Sequence, residues 1–210
     1  MQFMPKSKEL TNNLMHTRDR RAINSIKSIV VKLSTQIYSI MTNNTLSDVN
    51  IETLPLFSTQ FHTLIIFNHV IRELKDKNTV TEILLCCFFL SLKINNINVP
   101  FETYKEITTI VSRTKLELEI CKIINYKFNI SSVAEILFSI TTNKNTFEKT
   151  LNALSETSAN KINFIDEGTI TINEFVLSLL EESELNEYEK IKAVFINRER
   201  LNEVRKELNE

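Results

Sequence analysis

Residues 82–93 read EILLCCFFLSLK, and the eight positions from Ile83 to Leu90 are apolar without interruption. Eight residues cover more than two turns of an α-helix, so no polar stripe remains to face water. A helix of this kind is stable only as an inner rod with other elements packed around it. The run from Ile83 to Leu92 is about half of what a bilayer span requires, so a membrane helix is not expected. Thr79 is read as its N-terminal cap, and the chain leaves the rod at Asn95 to Pro100.

The neighbours of this rod have helical periodicity. Ile23, Ile26, Val30, Leu33, Ile37 and Ile40 step by three and four and form one stripe flanked by Arg20, Arg21, Lys27 and Lys32. Thr42 to Pro55 breaks the pattern. Ser58 is read as the cap of a second helix, in which Phe61, Leu64, Ile65, Ile71 and Leu74 share a face. A short helix is expected over Phe101 to Val111. A fifth runs from Thr114 to Tyr126, with Leu116, Ile120, Ile123 and Ile124 inward. Ser132, followed by Glu135, caps the next. Beyond it Val133 to Ile140, Phe147 to Ile162, Ile172 to Leu180 and Tyr188 to Leu208 look helical, and Gly168 to Ile172 is the one candidate strand. The expected fold is all-α: a flexible N-terminal arm over 1–16, a five-helix unit over 17–130, and a smaller helical unit over 131–210.

Composition narrows the function. One Gly and three Pro in 210 residues cannot supply a dinucleotide fingerprint, a P-loop or a nucleophile elbow, each of which needs glycine where backbone meets phosphate or turns sharply. A net charge of -1 gives no general basic character. The charge is uneven, however. Residues 1–130 hold 16 basic and 11 acidic side chains, a balance of +5, and residues 166–210 hold six and 12, a balance of -6. Direct nucleic-acid binding is not expected, because phosphate neutralisation needs a coherent basic face. Cys86 and Cys87 are adjacent and Cys121 stands alone, so no disulfide is expected and a reducing compartment, nuclear or cytoplasmic, fits. The first residues lack the apolar core of a signal peptide. No zinc spacing occurs. Asn163 to Glu174 has the rhythm of a calcium loop, but Ile165 stands at its third place where a carboxylate is needed, so a non-binding turn is expected. His16, His62 and His69 are scattered, and core or surface roles are expected for them.

The helical pattern together with its local sequences resembles the cyclin box. TVTEILLCCFFLSLK (79–93) resembles the family's third helix, an apolar run ending in lysine; LELEICKIINYKFNI (116–130) resembles its fifth helix and exit; IIFNHVI (65–71) resembles its second. The interval of 26 residues from Lys93 to Glu119, with Pro100 after the lysine, also suits the family. Residues 131–210 would then be a shorter, divergent second repeat. Two departures stand out. Asn95 and Asn96 occupy positions where cyclins commonly carry acids, and Arg20-Arg21-Ala22-Ile23-Asn24 keeps only the middle of the substrate-docking stretch of cell-cycle cyclins. The character is closer to transcription-type cyclins such as cyclin H or C.

The resemblance implies no catalysis and no cofactor. It implies a subunit that binds and activates a cyclin-dependent protein kinase, alone or within a larger transcription complex. By position Lys93 and Glu119 match the family's kinase-contacting pair, and Ile94, Ile97, Val99, Phe101 and Tyr104 are apolar kinase-contacting candidates. Each has a plainer alternative. Lys93 can serve the dipole of its own helix, Glu119 can pair with Lys115 or Lys122, and the apolar residues after Lys93 can fold back onto the core. Two other function classes remain open: a general transcription factor of the IIB or Brf kind, and a helical scaffold with no kinase.

Overall fold

The computed structural model describes residues 20–99, 113–128, 130, 132–156, 162–163 and 170–209. Among them are nine helices: α1 (Arg20–Thr42), α2 (Leu54–Leu74), α3 (Val80–Ile94), α4 (Arg113–Ile123), α5 (Val133–Phe138), α6 (Lys144–Glu156), α7 (Ile172–Leu179), α8 (Glu182–Lys192) and α9 (Arg198–Asn209). Ile162–Asn163 (β1) and Ile170–Thr171 (β2) pair as two parallel two-residue strands, Ile162 opposite Ile170. The protein is mainly helical. The short helix expected over Phe101 to Val111 lies outside the described residues.

Every residue of α3 from Ile83 to Leu92 is buried. Thr79 caps it as a reciprocal box: its side chain accepts from the Glu82 amide, and the Glu82 carboxylate accepts from the Thr79 amide at 2.9 Å. Phe88 is fully buried and meets Phe89 edge-to-face, ring centres 5.7 Å apart.

The principal neighbour of α3 is α2, and here the structure departs from the sequence reading. Helix α2 begins at Leu54, with Pro55 in its first turn, where a missing N–H costs nothing. Ser58 is therefore an interior residue and not a cap. From Leu56 to Phe67 every residue is buried, so the core holds two inner rods and not one. The second was concealed by hydroxyls. Thr59 and Thr63 return their protons to the Pro55 and Thr59 carbonyls at 2.9 and 2.6 Å, and Ser58 shares a hydrogen bond of 2.9 Å with Ser132 ahead of α5. A buried hydroxyl bonded in this way carries little desolvation cost.

Helix α1 buries Ile26, Val30, Leu33 and Ile37 as its spacing predicts, but Ile40, at the end of the stripe, is 42 % exposed. Helices α1 and α2 both pack against α6, α2 packs against α5, and α9 packs on α7. Buried residues from Ile26 to Val204 form one continuous cluster. Ser132 caps α5 and Thr171 caps α7, each accepting from the amide three residues on.

The expected helix over Tyr188 to Leu208 is two helices. Helix α8 stops at Ala193, whose φ of 50° is left-handed. The Glu189 carboxylate then accepts from the Ile196 amide at 2.7 Å and from Arg198 at 3.0 Å, folding the chain back so that Ile196, Leu201 and Val204 are buried. Neither Gly nor Pro marks this turn in the sequence. The calcium-like segment is partly described. Its twelfth residue, Glu174, accepts from the Thr171 amide and from Arg200, both at 2.8 Å. Burial works against ionisation there, but the hydrogen bonds from Arg200 and Thr171 prevail and hold the carboxyl below its usual range.

Candidate functional site

The exits of α3 and α4 form the candidate site. Both helices end in the same way. Asn96 has φ 55°, and the Asn96 and Ile97 amides bond the Lys93 and Leu92 carbonyls; Asn125 has φ 52°, and the Asn125 and Tyr126 amides bond the Lys122 and Cys121 carbonyls. These are Schellman closures with asparagine in the place glycine usually takes. Among non-glycine residues asparagine best tolerates that conformation, which explains why Asn95-Asn96 stand after the lysine. Asn96 supplies the left-handed residue. Asn95 is the C-cap, and its Nδ2 donates to the Ser91 carbonyl at 2.8 Å and to His62 Nδ1 at 3.0 Å.

Lys93 emerges from the buried rod with its side chain 57 % exposed, and its Nζ meets Glu117 Oε1 at 2.5 Å. The carboxylate opposite Lys93 is thus Glu117, not Glu119. Two residues along an α-helix turn about 200°, so Glu119, which is half-buried, projects from a different side of α4. Helix α3 packs on α4 along this edge. Cys121 lies beside the pair and is 8 % exposed; burial, reinforced by the Glu117 charge, raises its thiol pKa, so it is not a ready nucleophile.

Ile94, Ile97 and Val99 are half-buried and pack against the core. Phe101 and Tyr104 lie outside the described residues. The exposed apolar side chains nearby in the chain are ones the sequence reading passed over: Leu118 at 48 %, Tyr126 at 53 % and Phe128 at 39 % exposure, the last two in edge-to-face contact with ring centres 6.3 Å apart. Their signal was present, because Leu118 falls off the Leu116–Ile120 inward spacing and Tyr126 follows the helix stop.

Among the described residues no group of His, Cys, Asp and Glu is placed to hold a metal ion, and no helix is long and apolar enough to cross a membrane. No protein-family model, no curated protein and no solved structure matches the chain.

Proposed function

We propose that this protein is a cyclin-like regulatory subunit that binds and activates a cyclin-dependent protein kinase, in transcription or cell-cycle control. The observation that carries this reading is the Lys93–Glu117 ion pair at the C-terminal end of α3, whose residues 83–92 are buried, with Leu118 exposed on the adjoining helix. An ammonium fixed by a carboxylate at the end of a rigid rod can donate to backbone carbonyls of a partner, and the exposed Leu118 of α4 and Tyr126 and Phe128 after it can supply apolar contact. In the family that this sequence resembles, the third and fifth helices, here α3 and α4, pack against the kinase's mobile helix. Binding there favours the state in which a kinase glutamate pairs with the ATP-contacting lysine. The shift in that equilibrium equals the differential affinity of the subunit for the active state. Glu117 is the carboxylate that pairs with Lys93, while Glu119, which the resemblance matches to the family's kinase-contacting glutamate, stands on another side of α4.

The test is reconstitution with cyclin-dependent kinases and measurement of phosphorylation of a standard substrate. Stimulation by the native chain, weakened in Lys93→Glu at unchanged helicity, is the expected outcome. Equal stimulation by both proteins at equal helicity would place the kinase elsewhere.

A second reading, a helical scaffold without a kinase, is favoured by one observation. Asn95, at a position where cyclins carry acids, turns its side chain inward to Ser91 and His62 and is not free for a partner. Absence of any kinase among proteins co-purifying with the native chain supports that reading.

A further inference from the structure

A cavity of about 520 Å³ opens where α1, α2 and α6 meet, on residues that the kinase-binding reading does not use. That volume lies within the range of small-molecule sites. Its floor is aromatic: Phe147 meets Phe57 edge-to-face at 5.4 Å and Phe61 at 6.4 Å between ring centres. Within this apolar floor stands Gln60, only 4 % exposed, whose carboxamide has no hydrogen-bond partner among the described residues. The rim is cationic. Lys27, Lys32 and Lys144 line the cavity against one acid, Glu148. Lys27 donates to Asn152 Oδ1, tying α1 to α6, while neither Lys32 nor Lys144 is in an ion pair among the described residues.

We propose that this cavity binds a small amphipathic anion, an alkyl or aryl body carrying one acid group. The aromatic floor removes the body from water, which favours binding in proportion to the apolar area buried. The rim lysines, reaching over the mouth on flexible stems, match a carboxylate or phosphate, and Gln60 adds a neutral donor. The cavity runs from Asn24 to Thr35 along α1, a rise of eleven residue steps or about 16 Å, which accommodates a chain of about ten to twelve carbons. The same geometry argues against an extended peptide. A peptide brings an N–H and a C=O with every residue and needs a partner for each. Among the buried lining residues Gln60 alone is polar, and the half-buried Thr35 already gives its hydroxyl to the Val31 carbonyl at 2.9 Å.

The probe is sodium dodecanoate, titrated calorimetrically below its micelle concentration into the full-length chain, with helicity followed by circular dichroism. Saturable one-to-one binding is expected. It weakens at least tenfold in the surface double variant Lys32→Glu/Lys144→Glu, and about fivefold in Gln60→Leu, the effect of one lost hydrogen bond. Dodecanol binds more weakly than dodecanoate. No binding to the native chain overturns the proposal, and is the outcome expected if a segment of this chain or a protein partner fills the cavity. Equal affinity in the double variant, or dodecanol binding as tightly as the acid, overturns it as well.

Discussion

Asn95 at the end of α3 donates from Nδ2 to Nδ1 of His62 in the middle of α2, 3.0 Å away, and so fixes the imidazole tautomer. Nδ1 accepts, the proton sits on Nε2, and Nε2 is buried without a hydrogen-bond partner among the described residues. Burial pushes this histidine down to about 4, while the Ile130 backbone opposes the shift without closing a bond to Nε2. The contact clamps the two inner rods together and requires a neutral ring.

This makes stability depend on pH. The unfolded chain takes up the proton near pH 6.5 and the folded chain only near 4, so the unfolded state binds more protons between those values and stability falls as pH falls through that window. Between pH 7 and pH 5 the loss is about 2 kcal/mol. Urea unfolding of the native chain and of His62→Phe at both pH values checks it: the native protein loses that much more than the variant. Parallel losses in the two proteins would place the pH dependence elsewhere.

The pairing of Lys93 with Glu117 is open to a double-mutant cycle. The Lys93 side chain is more than half exposed, so the coupling is small, about 0.5–1 kcal/mol. Lys93→Ala combined with Glu117→Ala should show that coupling in chemical denaturation, and Lys93→Ala combined with Glu119→Ala should be additive. Coupling to Glu119 alone would reverse the assignment.

Phe88→Ala removes a fully buried ring from the centre of α3. A loss of about 3–5 kcal/mol is expected, a large part of the stability of a domain this size. Thermal melting followed by circular dichroism measures it. A shift of only a few degrees would mean that position 88 is not enclosed.

Ala193 is left-handed at the α8–α9 turn with φ 50°. An alanine there carries about 1 kcal/mol of steric strain that glycine avoids. Ala193→Gly should therefore raise the melting temperature by about 2–4 °C, although the same substitution inside a helix lowers it. A fall in melting temperature would show that Ala193 does not sit at the turn.

Legibility in the sequence followed local chemistry. Helix α3 could be placed from eight consecutive apolar residues and a threonine cap, because both act within a few residues of themselves; the reciprocal Glu82 contact came with the structure. Helix α2 was half legible. Its apolar face showed, but its full burial rests on Ser58 reaching Ser132 and His62 reaching Asn95, partners 74 and 33 residues away. The broken C-terminal helix was missed for a related reason. Ala193 is a good helix former, and contacts made across the turn, such as those of Glu189 with Ile196 and Arg198, make the left-handed conformation favourable. In the candidate site, the exit of the rod at Lys93 was legible, whereas the identity of its carboxylate was not, since spacing along two helices does not fix their relative rotation.

The sequence by itself determined that this chain is helical and that residues 83–92 are shielded from water. These follow from the hydrophobic effect and backbone sterics, which act on each segment separately. Only the tertiary structure decided that α2 is a second inner rod, that Glu117 holds Lys93, and that α1, α2 and α6 leave an aromatic-floored cavity under three lysines. Those features depend on how side chains from distant segments interlock, and close packing selects one such arrangement for the whole core at once.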